Sequence, residues 1–157
     1  MQILSQRFGL PKQNHVQALQ ALKQVDQSLI SKNAFIGWND QDDSMQSMHE
    51  RCRAWGLNEE TPIREALAQA LTVQQFLGLL DYDVEEDEDG NIVGLVWTGN
   101  YWQQYTHACL EAIAPFVQDG SYISACMNGS AYLWTFSEGK LIETMPLHDG
   151  EPTCSWL

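Results

Sequence analysis

Basic residues are scarce in this chain: lysine and arginine together number 8 of 157 residues against 21 aspartates and glutamates, a formal charge of −13. A field of that sign repels nucleic-acid phosphates and anionic lipid headgroups and draws in cationic proteins, so direct nucleic-acid binding is disfavoured. Long apolar runs are missing too. Nothing approaches the roughly 20 residues that cross a bilayer, and the opening "MQILSQRFGLPKQ" has no apolar core for a signal peptide. The expectation is a cytoplasmic protein that does not enter a membrane. No Cys-x-x-Cys pair occurs among Cys52, Cys109, Cys126 and Cys154, so reduced, packing thiols are expected. Catalytic signatures are also absent. There is no Gly-x-Ser-x-Gly, no phosphate loop, no His-Glu-x-x-His and no Rossmann fingerprint, which points away from an enzyme and from any cofactor. A small hydrolase with an unrecognised site stays open as an alternative.

What is present suffices for one domain with a proper core, since 44% of the residues are hydrophobic. Up to about residue 80 the apolar period is helical. Val16, Leu19, Leu22, Val25, Leu29 and Ile30 line one face of a first helix. A second starts at Asp42 or Asp43, carries Met45, Met48, Cys52 and Trp55, and stops at Gly56. A third opens with Thr61 and Pro62 and runs through Ile63, Ala66, Leu67, Ala70 and Leu71 toward "VQQFLGLL". From Tyr82 onward the signals are strands, joined by the turn pairs Asp89-Gly90, Asn128-Gly129 and Glu138-Gly139. They are interrupted by one helix, "NYWQQYTHACLEAIAPF", capped by Asn100 and ended before Pro115. The expected architecture is a single α+β domain over residues 1–157. Its N-terminal helices, about 12–80, pack on a C-terminal antiparallel sheet, about 81–146, made of a hairpin, a helix and a three-stranded meander.

The charge is concentrated in one place. "DYDVEEDEDGN", residues 81–91, holds seven carboxylates in eleven positions and no base. With Asp89-Gly90 as a two-residue turn, Glu88 faces Asn91, Glu86 faces Val93, Val84 faces Leu95 and Tyr82 faces Trp97. Tyr82, Val84, Leu95 and Trp97 then form an inner face. The outer face carries Asp83, Glu85 and Asp87 opposite Val96, Gly94 and Ile92, with Glu88 and Asp89 at the tip. Carboxylates two apart on a strand sit ~7 Å from one another, and a cationic partner relieves their repulsion.

Three chemistries compete for these residues. An EF-hand alignment with Gly90 at position six puts Glu85, Asp87 and Asp89 in the early ligand slots but Val96 at position twelve, where calcium needs a bidentate glutamate, so no metal is expected. A charge run that only solvates a turn is the bland reading. One-sided charge on a rigid hairpin beside aromatics is the third, a surface for a basic protein. His49 and Cys52 share a stripe with Met45, Met48 and Trp55, which reads as core and not as a zinc site. His107 and Cys109, two apart on a helix, point in different directions. Among the aromatics after the hairpin, Trp97 and Trp102 are assigned to packing. Tyr101 and Tyr105 join the candidate interface because a phenol tolerates exposure. The candidate partner-binding set is therefore Asp83, Glu85, Asp87, Glu88, Asp89, Tyr101 and Tyr105.

The stretch "APFVQDGSYISACMNGSAYLWTFSEGKLIE", residues 114–143, following "GNIVGLVWTG", resembles a segment of small acidic bacterial immunity proteins from polymorphic-toxin and contact-dependent growth inhibition systems. The matching features are Asp119-Gly120-Ser121-Tyr122-Ile123, Trp134, Phe136 and Gly139-Lys140. The chain differs in having Asn128-Gly129-Ser130 where an acidic turn is usual, and in having no arginine beside Trp134. These are sheet and turn determinants, so no individual binding residue is carried over. The resemblance implies a cytosolic bacterial protein that binds one cognate toxin, often a basic nuclease, and blocks it without catalysis. A phage-type acidic mimic of nucleic acid is the alternative from the same charge. Oligomeric state is left open.

Overall fold

The computed structural model describes residues 2–29, 56–57, 61–80, 82–97, 104–127 and 130–144. Among them the architecture is α+β. Strand β1 (Gln2–Arg7) leads into a 3-10 turn at Lys12–Asn14 and helix α1 (His15–Lys23), followed by helices α2 (Ile63–Gln69) and α3 (Val73–Leu79). Then come the hairpin β2 (Tyr82–Glu86) and β3 (Ile92–Trp97), helix α4 (Gln104–Ile113), and strands β4 (Tyr122–Met127), β5 (Ser130–Ser137) and β6 (Lys140–Thr144).

The meander is present, but it is not alone in its sheet. β1 adds to it, giving a four-stranded antiparallel sheet ordered β1-β4-β5-β6, while β2 and β3 form a separate two-stranded sheet. The expected order of N-terminal helices and C-terminal strands holds, and residues 2–7 add to it an edge strand on β4. "QILSQR" hides this because its alternation is broken. The register slips between Ile3 and Ser5, which leaves Leu4 exposed. The third expected helix is two helices. Ala70 leaves the helical conformation (ψ 129), and Thr72 caps α3 by accepting the Gln75 amide at 3.1 Å. The second expected helix, at 42–56, lies outside the described residues save Gly56, as do Asn100 and the Asn128-Gly129 turn. Glu138 and Gly139 both take positive φ, 51° and 73°, between paired Ser137 and Lys140, so this turn is the tight hairpin expected. Asp119 holds the unusual Glu138 backbone by accepting its amide at 2.8 Å.

One core unites the parts. Leu22 of α1, Leu67 of α2, Phe76 and Leu77 of α3, Leu110 and Ile113 of α4, and Ile123, Trp134 and Phe136 of the sheet are all buried. Phe8 meets Phe136 edge-on, with ring centroids 5.6 Å apart. Cys109 is a buried free thiol, whereas Cys126 is disulfide-bonded, which corrects the expectation of four reduced cysteines. No described helix is long and apolar enough to cross a membrane.

The two sheets meet along a seam. The Gln6 side-chain amide behaves as a peptide group: Nε2 donates to the Leu95 carbonyl at 2.9 Å, and Oε1 accepts the Leu95 amide at 3.0 Å. Four residues on, Leu10 and Ile92 exchange backbone hydrogen bonds of 2.8 and 3.1 Å. β3 is thus hydrogen-bonded on both sides, with Leu95 and Ile92 fully buried, each side chain contributing roughly 1.5–3 kcal/mol. Replacing Gln6 by Leu keeps the volume but strands the Leu95 amide and carbonyl, at roughly 1–3 kcal/mol per buried unsatisfied group. In denaturant unfolding Gln6→Leu should lose about 2 kcal/mol or more, while exposed Gln2→Leu stays within about 0.5 kcal/mol. Equal stabilities would show that the seam does not hold the sheets together.

Candidate functional site

The acidic hairpin follows the expected register at its open end and departs from it at the tip. Tyr82 pairs with Trp97, Asp83 with Val96, Val84 with Leu95 and Glu85 with Gly94, but Glu86 pairs with Ile92, and Val93 is bulged out. The turn explains the offset. It holds three residues, Glu88, Asp89 and Gly90, because the Gly90 amide bonds the Asp87 carbonyl (3.1 Å) and the Asp87 amide bonds the Asn91 carbonyl (3.0 Å). Gly90 sits at φ 83°, the left-handed position that closes a type I turn of this kind. One extra loop residue is absorbed by the bulge at Val93, and the register recovers by Glu85.

The bulge changes which side chains face out. Ile92, expected on the outer face, is fully buried, and Val93 is exposed instead. The reason is the Leu10 bridge, which draws Ile92 into the seam. Val93 and Val96 therefore stand as exposed aliphatics among the carboxylates. Glu85 lies exposed with its carboxylate over Gly94, the end of a flexible side chain that is free to move aside. Asp83 is half-buried, and Glu88 and Asp89 are exposed at the tip.

Asp87 has another task. Its Oδ1 accepts the amides of Asp89 (3.0 Å) and Asn91 (2.9 Å), and its Oδ2 accepts the Asn91 side-chain amide (2.9 Å). It builds the turn, and the signal for this was legible as Asp before Glu-Asp-Gly-Asn. The Asn91 side chain first, then the Asn91 backbone and the Asp89 and Gly90 amides, hold its carboxyl below the usual aspartate range against a smaller opposing effect of desolvation. Asn91 Oδ1 accepts the Lys12 amide at 2.9 Å, and the Lys12 side chain lies over Gly90. The tip is pinned to the turn before α1, and the fold supplies a lysine that the hairpin's own sequence lacks.

Tyr105 leaves the candidate set. It is only 2% exposed, on the face of α4 that packs into the core, and burial pushes its phenol up, with Cys109 one turn on adding to the effect. Cys109 is likewise pushed up to about 12 by burial, opposed by Tyr105, which leaves it a protonated, unreactive thiol near neutrality. Tyr101 and Trp102 lie outside the described residues. His107 is not paired with Cys109. Its ring nitrogens lie 3.4 Å from Glu111 and 3.4 Å from Glu143, and Glu143 also accepts the Trp134 indole N–H at 2.7 Å. No set of three histidine, cysteine or acidic side chains fit to hold a metal occurs among the described residues. Compared with protein-family models, curated proteins and solved structures, the chain matches none.

Because the folded-state pKa of Asp87 is depressed, its stabilising contribution is fully present above the unfolded aspartate value near 3.8 and disappears as pH falls through the lower folded value. Asp87→Asn should therefore be less stable than wild type at pH 6, with the gap closing below about pH 4. Thermal melts of both proteins from pH 6 to 2 check this, and a gap independent of pH would contradict it.

Proposed function

We propose that this chain is an immunity-type inhibitor, a cytoplasmic protein that binds one cognate toxin domain with a basic, nuclease-like surface and neutralises it without catalysis. The observation that carries the reading is the hairpin's outer face. Glu85, Glu88 and Asp89 are exposed beside exposed Val93 and Val96, on a strand pair pinned by Gln6, Leu10 and Lys12. Charge of one sign steers a cationic partner, and the two valines give it apolar surface to bury once docked. Fixing at three points holds these side chains in place before a partner arrives, which lowers the entropy cost of binding. Free-thiol labelling in intact cells tests the cytoplasmic placement, and a Cys126 disulfide that persists there would contradict it.

The charge test spares Asp87, whose carboxylate builds the turn. Glu85→Gln, Glu88→Gln and Asp89→Asn together remove three exposed charges, and folding stability should stay within about 0.5 kcal/mol. Affinity purification from the native host should yield one stoichiometric basic polypeptide that arrests growth when expressed alone. The triple variant should bind it about tenfold or more weakly, the loss of at least one charge pair. No stoichiometric partner, or undiminished affinity in a folded triple variant, would contradict the proposal.

A further inference from the structure

We propose that His15, Gln74 and Glu86 form a proton-driven relay that lets go of the hairpin's shoulder when the imidazole takes up a proton. Its bearing on binding rests on the function proposed above, but the relay itself is read without a partner. His15 at the start of α1 contacts the Leu10 carbonyl through Nε2 at 3.0 Å. A carbonyl only accepts, so Nε2 carries the hydrogen and Nδ1 is a bare acceptor in the neutral ring. Gln74 of α3 places Nε2 2.6 Å from Glu86 Oε1 and 3.5 Å from His15 Nδ1. The carboxylate needs a donor, which fixes the amide orientation and makes the same NH2 group serve both neighbours. The circuit closes on itself, because Glu86 pairs with Ile92, whose amide donates to the same Leu10 carbonyl that His15 holds.

A proton on Nδ1 breaks this pattern of polarity. Nδ1–H then faces the Gln74 NH2, donor against donor, and the amide must turn so that Oε1 accepts from the ring. Glu86 loses its hydrogen-bond donor and is freed from α3. The charged groups around the ring are few. Apart from His15 itself, α1 carries only Lys23, at its far end, and α3 and the 3-10 turn Ala114–Phe116 packed on α1 carry no charged residue. α4 carries His107 and Glu111, engaged with one another and with Glu143. The turn before α1 carries Lys12, whose side chain lies over Gly90. Glu86, reached through Gln74, is the anion linked to His15 by hydrogen bonds among the described residues.

The test is an NMR titration of the isotope-labelled full chain from pH 8 to 5, without any partner. Neutral His15 should show the Nε2–H tautomer. The Gln74 side-chain amide and the Glu86 carboxyl carbon should shift with the same midpoint as the His15 ring, and in Gln74→Leu the Glu86 signal should cease to follow it. An Nδ1–H tautomer, or Gln74 and Glu86 signals that ignore the His15 midpoint in wild type, would overturn the relay while leaving the partner-binding reading untouched. The wild-type titration decides by itself if Gln74→Leu does not fold.

Discussion

The Gln6 side chain stands in for a missing strand. β3 has β2 on one side only, and without a partner on the other its buried backbone groups at Leu95 would face apolar neighbours unsatisfied. A glutamine amide has a donor and an acceptor at the spacing of a peptide group, so one residue of β1 closes the gap between a two-stranded and a four-stranded sheet. Leu10 then repeats the contact with its own backbone at Ile92. Much of the hairpin's geometry follows. Ile92 is drawn inward, Val93 must bulge, and the tip comes to lie on the turn before α1.

A two-stranded hairpin is marginal alone in water, and one loaded with like charge more so. Here the self-repulsion is set against burial of Tyr82, Ile92 and Leu95, and against the hydrogen bonds that Asn91 donates to Asp87 and accepts from the Lys12 amide. The acidic positions consequently divide by task. Asp87 is spent on the turn and Glu86 on Gln74, while Glu85, Glu88 and Asp89 are held outward on a fixed backbone. Fixing before binding lowers the entropy cost of association, which is what a tight inhibitor needs.

The division into helix-forming and strand-forming segments was legible because apolar period is a local property, and so was the hairpin register from Tyr82 to Glu85. Its tip was not. Asp-Gly reads as a two-residue turn, but Asp87 and Asn91 flank the same glycine and favour the three-residue form, and the compensating bulge depends on Leu10, far away in sequence. β1 escaped for the same reason: a polar edge strand with a bulge has no period, and only pairing with β4 reveals it. Tyr105 was placed at the surface on the tolerance of a phenol for water, whereas its position on α4 beside Cys109, Leu110 and Ile113 puts it in the core. Of the candidate residues, Tyr105 is thus buried and Asp87 is engaged in the turn, while Val93 and Val96 stand exposed beside the carboxylates.

The central claim is that the hairpin's charge acts on a partner and not merely on solvent. Its most direct measurement is the association rate of the purified chain with any polypeptide found to co-purify with it, followed as ionic strength rises from about 10 mM to 500 mM, where the screening length falls from roughly 30 Å to a few ångströms. Electrostatic steering predicts an association rate that falls steeply while the dissociation rate changes little. An association rate flat across that range would contradict the account.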